Sequence, residues 1–224
     1  MKALILGDGL LGNEICNQTG WDQASRKLGN LNIDNHDELF NLVSGYDIVV
    51  NCIAHTDSYS LNPSPHWNIN YKFPSNLCDI CFNTGTKLIH ISTEFVYANN
   101  PSPPNEEDLP LPDNTWYAYT KLLADEYIKL RGNNFLICRE LHKPNPFPYS
   151  KVWDVKTSGD TVDKISTLII KLIKKGAVGV YNVGTGDKFL KDLTSEAELI
   201  PPPPNVPKDT RMNLSKLNKF LNEN

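Results

Sequence analysis

The sequence predicts an α/β protein built on a doubly wound parallel sheet. Short apolar segments that lack the period-two alternation of a half-exposed strand alternate along the chain with helix-like stretches. That pattern belongs to strands covered on both faces. The first such segment, residues 2–6, runs straight into Gly7-Asp8-Gly9-Leu10-Leu11-Gly12 and then into a helical stretch ending near Thr19. A strand, a GxGxxG turn and a helix in that order make a Rossmann-type unit. With 224 residues, 40% of them apolar and 21% charged, the chain suffices for one large domain with a small appendage.

The remaining elements follow from local signals. A second short strand is expected over residues 22–27, an amphipathic helix over 35–43, and a fully buried strand, DIVVNCIA, over 47–54. Residues 73–83 read as a helix stopped by Gly85, and 87–92 as the next strand. The Pro-, Asn- and acid-rich stretch 99–115 is a surface loop. A strong helix is expected over 117–130 and a buried strand over 134–139. Beyond these the pattern loosens to a helix over 163–175, a strand over 178–183 and a final helix over 214–221. IPPPPNVP, residues 200–207, can be neither helix nor central strand and is expected to be an extended surface segment. The expected division is a dinucleotide-binding Rossmann domain over residues 1–140 and a small substrate-binding portion over 141–224.

Composition narrows the partners. The net charge of −4 argues against nucleic acid or an anionic membrane surface as a partner. The apolar runs are too short or too interrupted to span a bilayer. The N-terminus enters a strand with no charged leader, so a cytoplasmic location is expected. Five cysteines is an odd number, and no disulfides are expected. Cys78 and Cys81 form a CxxC pair, but without a second pair or histidines to complete a metal site. In a helix LCDICF both read as small apolar residues facing inward, and no metal is expected.

Three groups of residues carry chemistry. In GxGxxG, Gly7 permits the tight turn, Gly9 lets the backbone approach a pyrophosphate, and Gly12 lets helix and strand pack closely. The helix N-terminus, with Leu10 and Leu11, then presents unpaired N–H groups to the phosphates. At the end of the second strand a carboxylate would select NAD, and cations would select NADP. The chain offers Ser25, Arg26 and Lys27, so NADP(H) is the preferred expectation and NAD(H) the alternative. Tyr117 and Lys121 form YxxxK, and a spacing of four sets both on one helix face. An ammonium beside a phenol favours the phenolate, so Lys121 is expected to lower the Tyr117 pKa and ready it as a proton donor to a carbonyl.

With GDGLLG, DIVVNCIAHT, WNIN, LIHISTEFVY, PPNEEDLPLPDNTWYAYTKLLADE and GVYNVGTG in this order, the chain resembles extended short-chain dehydrogenase/reductases. Within that group it is most similar to dTDP-4-dehydrorhamnose reductases. The resemblance implies catalytic roles for Thr93, Tyr117 and Lys121. Thr93 would hydrogen-bond the substrate carbonyl region, Tyr117 would be the acid, and Lys121 would hold the nicotinamide ribose. It also implies that Asn51 to Thr56 line the cofactor, with Cys52, Ile53, Ala54, His55 and Thr56 in contact, together with Asn32 and Ile33.

Departures are equally informative. Family members usually space the glycines GxxGxxG, one residue longer than here. Position 94 is Glu where Asp is common, and the segment 139–159 is shorter than in typical members. The implied activity is reduction of a 4-keto sugar nucleotide by a monomer or homodimer. A 4,6-dehydratase would carry Thr-Asp-Glu where this chain has Thr93-Glu94-Phe95, and Phe95 removes no proton. The same resemblance also admits a 4-epimerase and a non-catalytic, NADP-binding regulatory subunit.

Overall fold

The computed structural model describes residues 1–101 and 103–223. Its centre is a six-stranded, all-parallel sheet: β1 (Ala3–Leu6), β2 (Asp22–Ala24), β3 (Ile48–Asn51), β4 (Lys87–Thr93), β5 (Phe135–Glu140) and β6 (Gly179–Asn182). The spatial order is β2-β1-β3-β4-β5-β6. The chain therefore reverses direction across the sheet between β1 and β3, the switch point where such sheets bind ligands. At that point Leu6 pairs with both Ala24 and Asn51, so three carboxyl ends lie level.

Helices cover both faces. On one face α1 (Leu10–Thr19), α5 (Val162–Lys174) and α6 (Ser215–Asn222) pack Leu11, Ile15, Ile165, Ile169 and Leu217 against Ile5, Val50 and Ile89. Gln18 binds α1 to α5, donating to Ser166 Oγ at 2.9 Å and accepting from Thr167 Oγ1 at 2.9 Å. On the other face α2 (His36–Val43), α3 (Phe73–Thr84) and α4 (Trp116–Arg131) bring Leu39, Leu77, Ile80 and Ile128 against Leu4, Val49 and Leu88. The Asn35 side chain caps α2 by accepting from Glu38 N, and Thr115 caps α4 by accepting from Ala118 N. Cys78 and Cys81 are both buried in this second core, as inward-facing helix residues.

Three features depart from the pattern read from the sequence. First, α3 is preceded by a short helical turn at Pro63–Pro65 and a π-helical segment, His66–Lys72, which carries the buried His66 and Asn70. Second, residues beyond 140 are not confined to an appendage: β6 pairs with β5, and α5 covers the sheet. The expected boundary at 140 thus cuts through the core. Third, Ile200 closes a short strand, Glu198–Ile200, paired with Lys151–Trp153, so the proline segment begins one residue later.

The rest of the C-terminal part is a set of two- and three-residue strands. They are held by polar contacts: Asp160 accepts from Lys164 Nζ and Lys188 Nζ at 2.9 Å each and from Thr161 N at 2.7 Å. Among the described residues no helix is long and apolar enough to cross a membrane.

Candidate active site

The glycine turn forms a cradle at the switch point. Gly7 has φ of 108°, a conformation that side-chain-bearing residues rarely adopt. A Cβ at Gly12 would sit 2.3 Å from the Gly7 carbonyl oxygen, so only glycine lets α1 approach β1 this closely. A Cβ at Gly9 would meet nothing within 4 Å. Gly9 is the N-cap of α1 and supplies no side-chain acceptor, so the first N–H groups of the helix face the open space above it. Unpaired N–H groups, a positive helix end and open space fit a pyrophosphate.

That space is part of a cavity of about 440 Å³. It gathers Gly9, Leu10, Leu11, Cys52, Ala54 and Thr56 on the glycine side, and Thr93, Tyr117 and Lys121 on the other. Nine of the residues expected at the site therefore line one cleft. The others lie around it. His55 is fixed by Asn70, whose Oδ1 accepts from His55 N at 2.8 Å and whose Nδ2 donates to His55 O at 3.0 Å. Ile33 and Ile53 pack against the second core, and Asn32 is exposed with its Oδ1 accepting from Asp34 N. Ser25 is buried, and its hydroxyl accepts from Leu28 N, so it shapes the turn after β2. Arg26 and Lys27 stand exposed in that turn.

Tyr117 is held edge-on by Phe95 at 5.9 Å and His66 at 6.3 Å between ring centroids. Thr93 ends β4 next to it, its hydroxyl within reach of the phenol and also accepting from Phe95 N. The expected effect of Lys121 on Tyr117 is not what the structure has. Burial raises the Tyr117 pKa, Glu94, Glu140 and Asp125 add to the rise, and only Thr93 opposes it. The reason is direction: Lys121 turns toward β4, where its Nζ donates to the Ile91 carbonyl and meets His90 Nε2 at 3.2 Å. A spacing of four fixes the face of a helix and leaves the end of a long side chain free. Tyr117 is accordingly a protonated phenol at neutral pH.

Behind Lys121 lies a buried polar row that sequence reasoning missed. Asn51 Oδ1 accepts from Ile53 N, which turns its Nδ2 toward His90 Nδ1 at 3.3 Å. Nδ1 is then the acceptor, so the proton of the neutral ring sits on Nε2, toward Lys121 Nζ and, at 4.0 Å, Asp125 Oδ1. An ammonium cannot accept that proton. Burial also acts against the charge and pulls the Lys121 pKa down to about 8. Arg139 pairs with Asp125 at 2.9 Å and reaches the Tyr97 hydroxyl. A histidine in an otherwise apolar strand, LIHIS, was the available signal.

The far wall of the cleft carries Glu94, Glu140 and His142. Burial and Glu140 raise the Glu94 pKa well above the usual carboxylate range. His142 Nδ1 lies 2.9 Å from Glu140; burial opposes its charge, but the carboxylate outweighs this and raises its pKa.

The doubly wound sheet, the glycine cradle at its switch point and a Tyr–Lys pair on α4 across the same cleft define a dinucleotide-binding fold. Residues 11–188 match the NAD dependent epimerase/dehydratase family, and the chain belongs to that family. A dTDP-4-dehydrorhamnose reductase of Mycolicibacterium smegmatis is 28% identical over 152 residues, 66% of this chain and 42% of that protein. The matched stretch is thus less than half the length of that relative. Among solved structures, the Bacillus anthracis dTDP-4-dehydrorhamnose reductase in complex with NADP superposes with a TM-score of 0.82 at 21% identity. That match covers 98% of this chain and 93% of the other. A UDP-glucuronic acid 4-epimerase of Bacillus cereus, in a complex containing NAD, gives a TM-score of 0.81 at 19% identity, covering 100% and 94%. At these identities the two structures speak for the fold.

Proposed function

We propose that this chain reduces the ketone of a 4-keto sugar nucleotide, with NADPH as the preferred reductant. The observation that carries the reading is the convergence of Thr93, Tyr117 and Lys121 with Gly9, Leu10 and Leu11 on one cavity. The dinucleotide, when bound, supplies the hydride. The residues supply the rest. Tyr117, kept protonated by burial, donates its phenolic proton to the carbonyl oxygen as charge develops there. Thr93 orients that oxygen and, through its hydrogen bond to the phenol, stabilises the phenolate left behind, while the Lys121 ammonium holds the nicotinamide ribose. Gly9 to Leu11 take the pyrophosphate, the loop from Cys52 to Thr56 lines the ribose side, and residues 141–224 contribute most of the substrate wall. We assign the protein to the cytoplasm as a monomer or homodimer.

The experiment is oxidation of NADPH, followed by absorbance, with a panel of nucleoside-diphosphate 4-keto sugars. Wild type turns over at least one of them. Tyr117→Phe, which removes only the donor, loses a factor on the order of 100 while NADPH binding persists. Full activity in Tyr117→Phe sinks the assignment of the acid. Inversion at C4 of a 4-hydroxy sugar nucleotide supplied with oxidised dinucleotide, with no net redox change, favours the 4-epimerase reading, which the shared fold supports. Dinucleotide binding with no turnover on any sugar favours the regulatory-subunit reading.

A further inference from the structure

Beside the catalytic cleft lies a larger cavity, of about 1010 Å³, at the N-terminal end of α4. Its apolar lining is largely aromatic: Trp67, Trp116 and Tyr119, beside Leu61 and Pro112, with Trp116 packed edge-on to Tyr119 at 6.2 Å between centroids. Trp116 is 40% exposed and Tyr119 46%, so their faces are not consumed by the core. Its polar lining includes Tyr59, Asp113 and Asn114.

Two polar atoms in this lining are buried and have no hydrogen-bond partner among the described residues: Tyr59 Oη and Asp113 Oδ2. The other Asp113 oxygen is already engaged, accepting from Asn114 N at 2.9 Å. Burial, then Asp113 and Glu94, push the Tyr59 phenol up to about 12, so it stays a neutral hydroxyl able to donate and accept. Orphaned buried polar atoms are rare in folded proteins, and a small shift of the cavity wall opens both of these to a ligand hydroxyl. The cavity adjoins the reacting centre, because the Tyr59 ring lies 6.3 Å from Phe95, and Phe95 packs on Tyr117.

The chemistry of the lining selects the occupant. Among the described residues no Lys or Arg lines the cavity and Asp113 does, so a phosphate would enter against an uncompensated carboxyl. Broad aromatic faces suit the C–H surface of a flat ring, and a carboxyl, a phenol and an amide suit its hydroxyls. The geometry points to a second binding site, for an uncharged saccharide ring, next to the catalytic cleft. The enzyme then handles a substrate that carries a further sugar, or is joined there by a free one. This site rests on its own lining and goes beyond the reductase reading, so either can fail without the other.

The test is saturation-transfer NMR of the full chain with two probes, methyl β-D-glucopyranoside and methyl α-L-rhamnopyranoside, and with adenosine as the non-sugar comparison. Saturation reaches the ring protons of at least one glycoside, with little transfer to adenosine. Trp116→Ala weakens that binding about tenfold, the effect of losing one aromatic face. Tyr119→Ala, a change at a half-exposed position, weakens it in the same direction and guards against a folding artefact of the first variant. Asp113→Asn, which keeps the shape, weakens it by a smaller factor. No transfer to either glycoside, or equal transfer in wild type and both aromatic variants, overturns the inference. Stronger transfer to adenosine overturns it in favour of a base site. Sedimentation showing a dimer that Trp116→Ala dissolves, with no glycoside binding, overturns it in favour of contact between copies.

Discussion

The two halves of the cleft recognise their ligands by different means. On the β1–β3 side the strands are ALIL and IVVN, apolar except for Asn51, and what faces the cavity is largely backbone and small side chains. On the β4–β5 side the strands are KLIHIST and FLICRE, and they bury His90, Ser92, Thr93, Arg139 and Glu140. Backbone N–H groups cannot change charge, so the first half is a fixed frame whose fit depends on room. The second half is a set of titratable groups whose protonation depends on burial and on one another. Mutations that alter space should act on the first half, and changes of pH on the second.

The largest effect is expected where space is the variable, at the glycines. A Cβ at Gly12 meets the Gly7 carbonyl oxygen at 2.3 Å, so Gly12→Ala forces α1 off the sheet. It should lower stability by about 1–3 kcal/mol and abolish measurable dinucleotide binding. Gly9→Ala separates the two quantities, because its Cβ meets nothing within 4 Å and its φ is −72°. The melting temperature should hold or fall slightly, because alanine caps a helix less well than glycine, while dinucleotide affinity falls tenfold or more. Thermal denaturation and calorimetric titration of both variants check this. Normal binding by Gly9→Ala would remove the pyrophosphate from this turn.

The titratable half responds to pH. Lys121 carries its charge below about 8 and loses it above, because burial lowers its pKa from 10.5. If the ammonium holds the ribose, dinucleotide affinity is full below pH 8 and declines as pH rises through it. His90→Ala removes the Nε2 proton that faces Lys121 and opens room for water, so the charged form is favoured and the decline moves to higher pH. Affinity measured between pH 6.5 and 9.5 for wild type, His90→Ala and Lys121→Ala checks both statements. The Lys121→Ala curve should be weak and flat. A wild-type midpoint unmoved by His90→Ala would reduce the histidine to packing.

The same contrast explains what the sequence could reveal. Space leaves a trace in residue type: Gly7 at positive φ and Gly12 against a carbonyl are glycines because nothing else fits. The cradle was therefore legible, as were the strands β3, β4 and β5, whose apolar runs have no solvent face. Tyr117 and Lys121 were legible as neighbours, since helical spacing fixes that much. The direction of the Lys121 ammonium was not, because it depends on Ile91 and His90, some thirty residues away. The π-helical segment His66–Lys72 was equally hidden. Its Asn70 is tied to His55, a contact that no local pattern announces. The two-residue strands of the C-terminal part carry too few positions for any periodicity.

The smallest effect is expected at the mouth of the fixed frame, in the choice between NADPH and NADH. β2 ends Gln23-Ala24 with no carboxylate to accept from a ribose 2′-hydroxyl, and Asp22, at its start, is taken by the Tyr46 hydroxyl at 2.9 Å. Arg26 and Lys27 are exposed in the turn that follows, so they offer a 2′-phosphate two cations. Ser25 offers less than the sequence implied, because its side chain is buried within the turn, where it accepts from Leu28 N. Exposed ion pairs contribute roughly 0–1 kcal/mol each and are screened by salt. Arg26→Ala with Lys27→Ala should therefore weaken NADPH about tenfold at low ionic strength, less at high, and leave NADH unchanged. Ser25→Ala should lower the melting temperature by loosening the turn without altering the NADPH-to-NADH ratio. Titrations of both dinucleotides at two salt concentrations decide the matter. A wild-type preference for NADH, or a ratio that survives the double substitution, would move the selection to another part of the mouth.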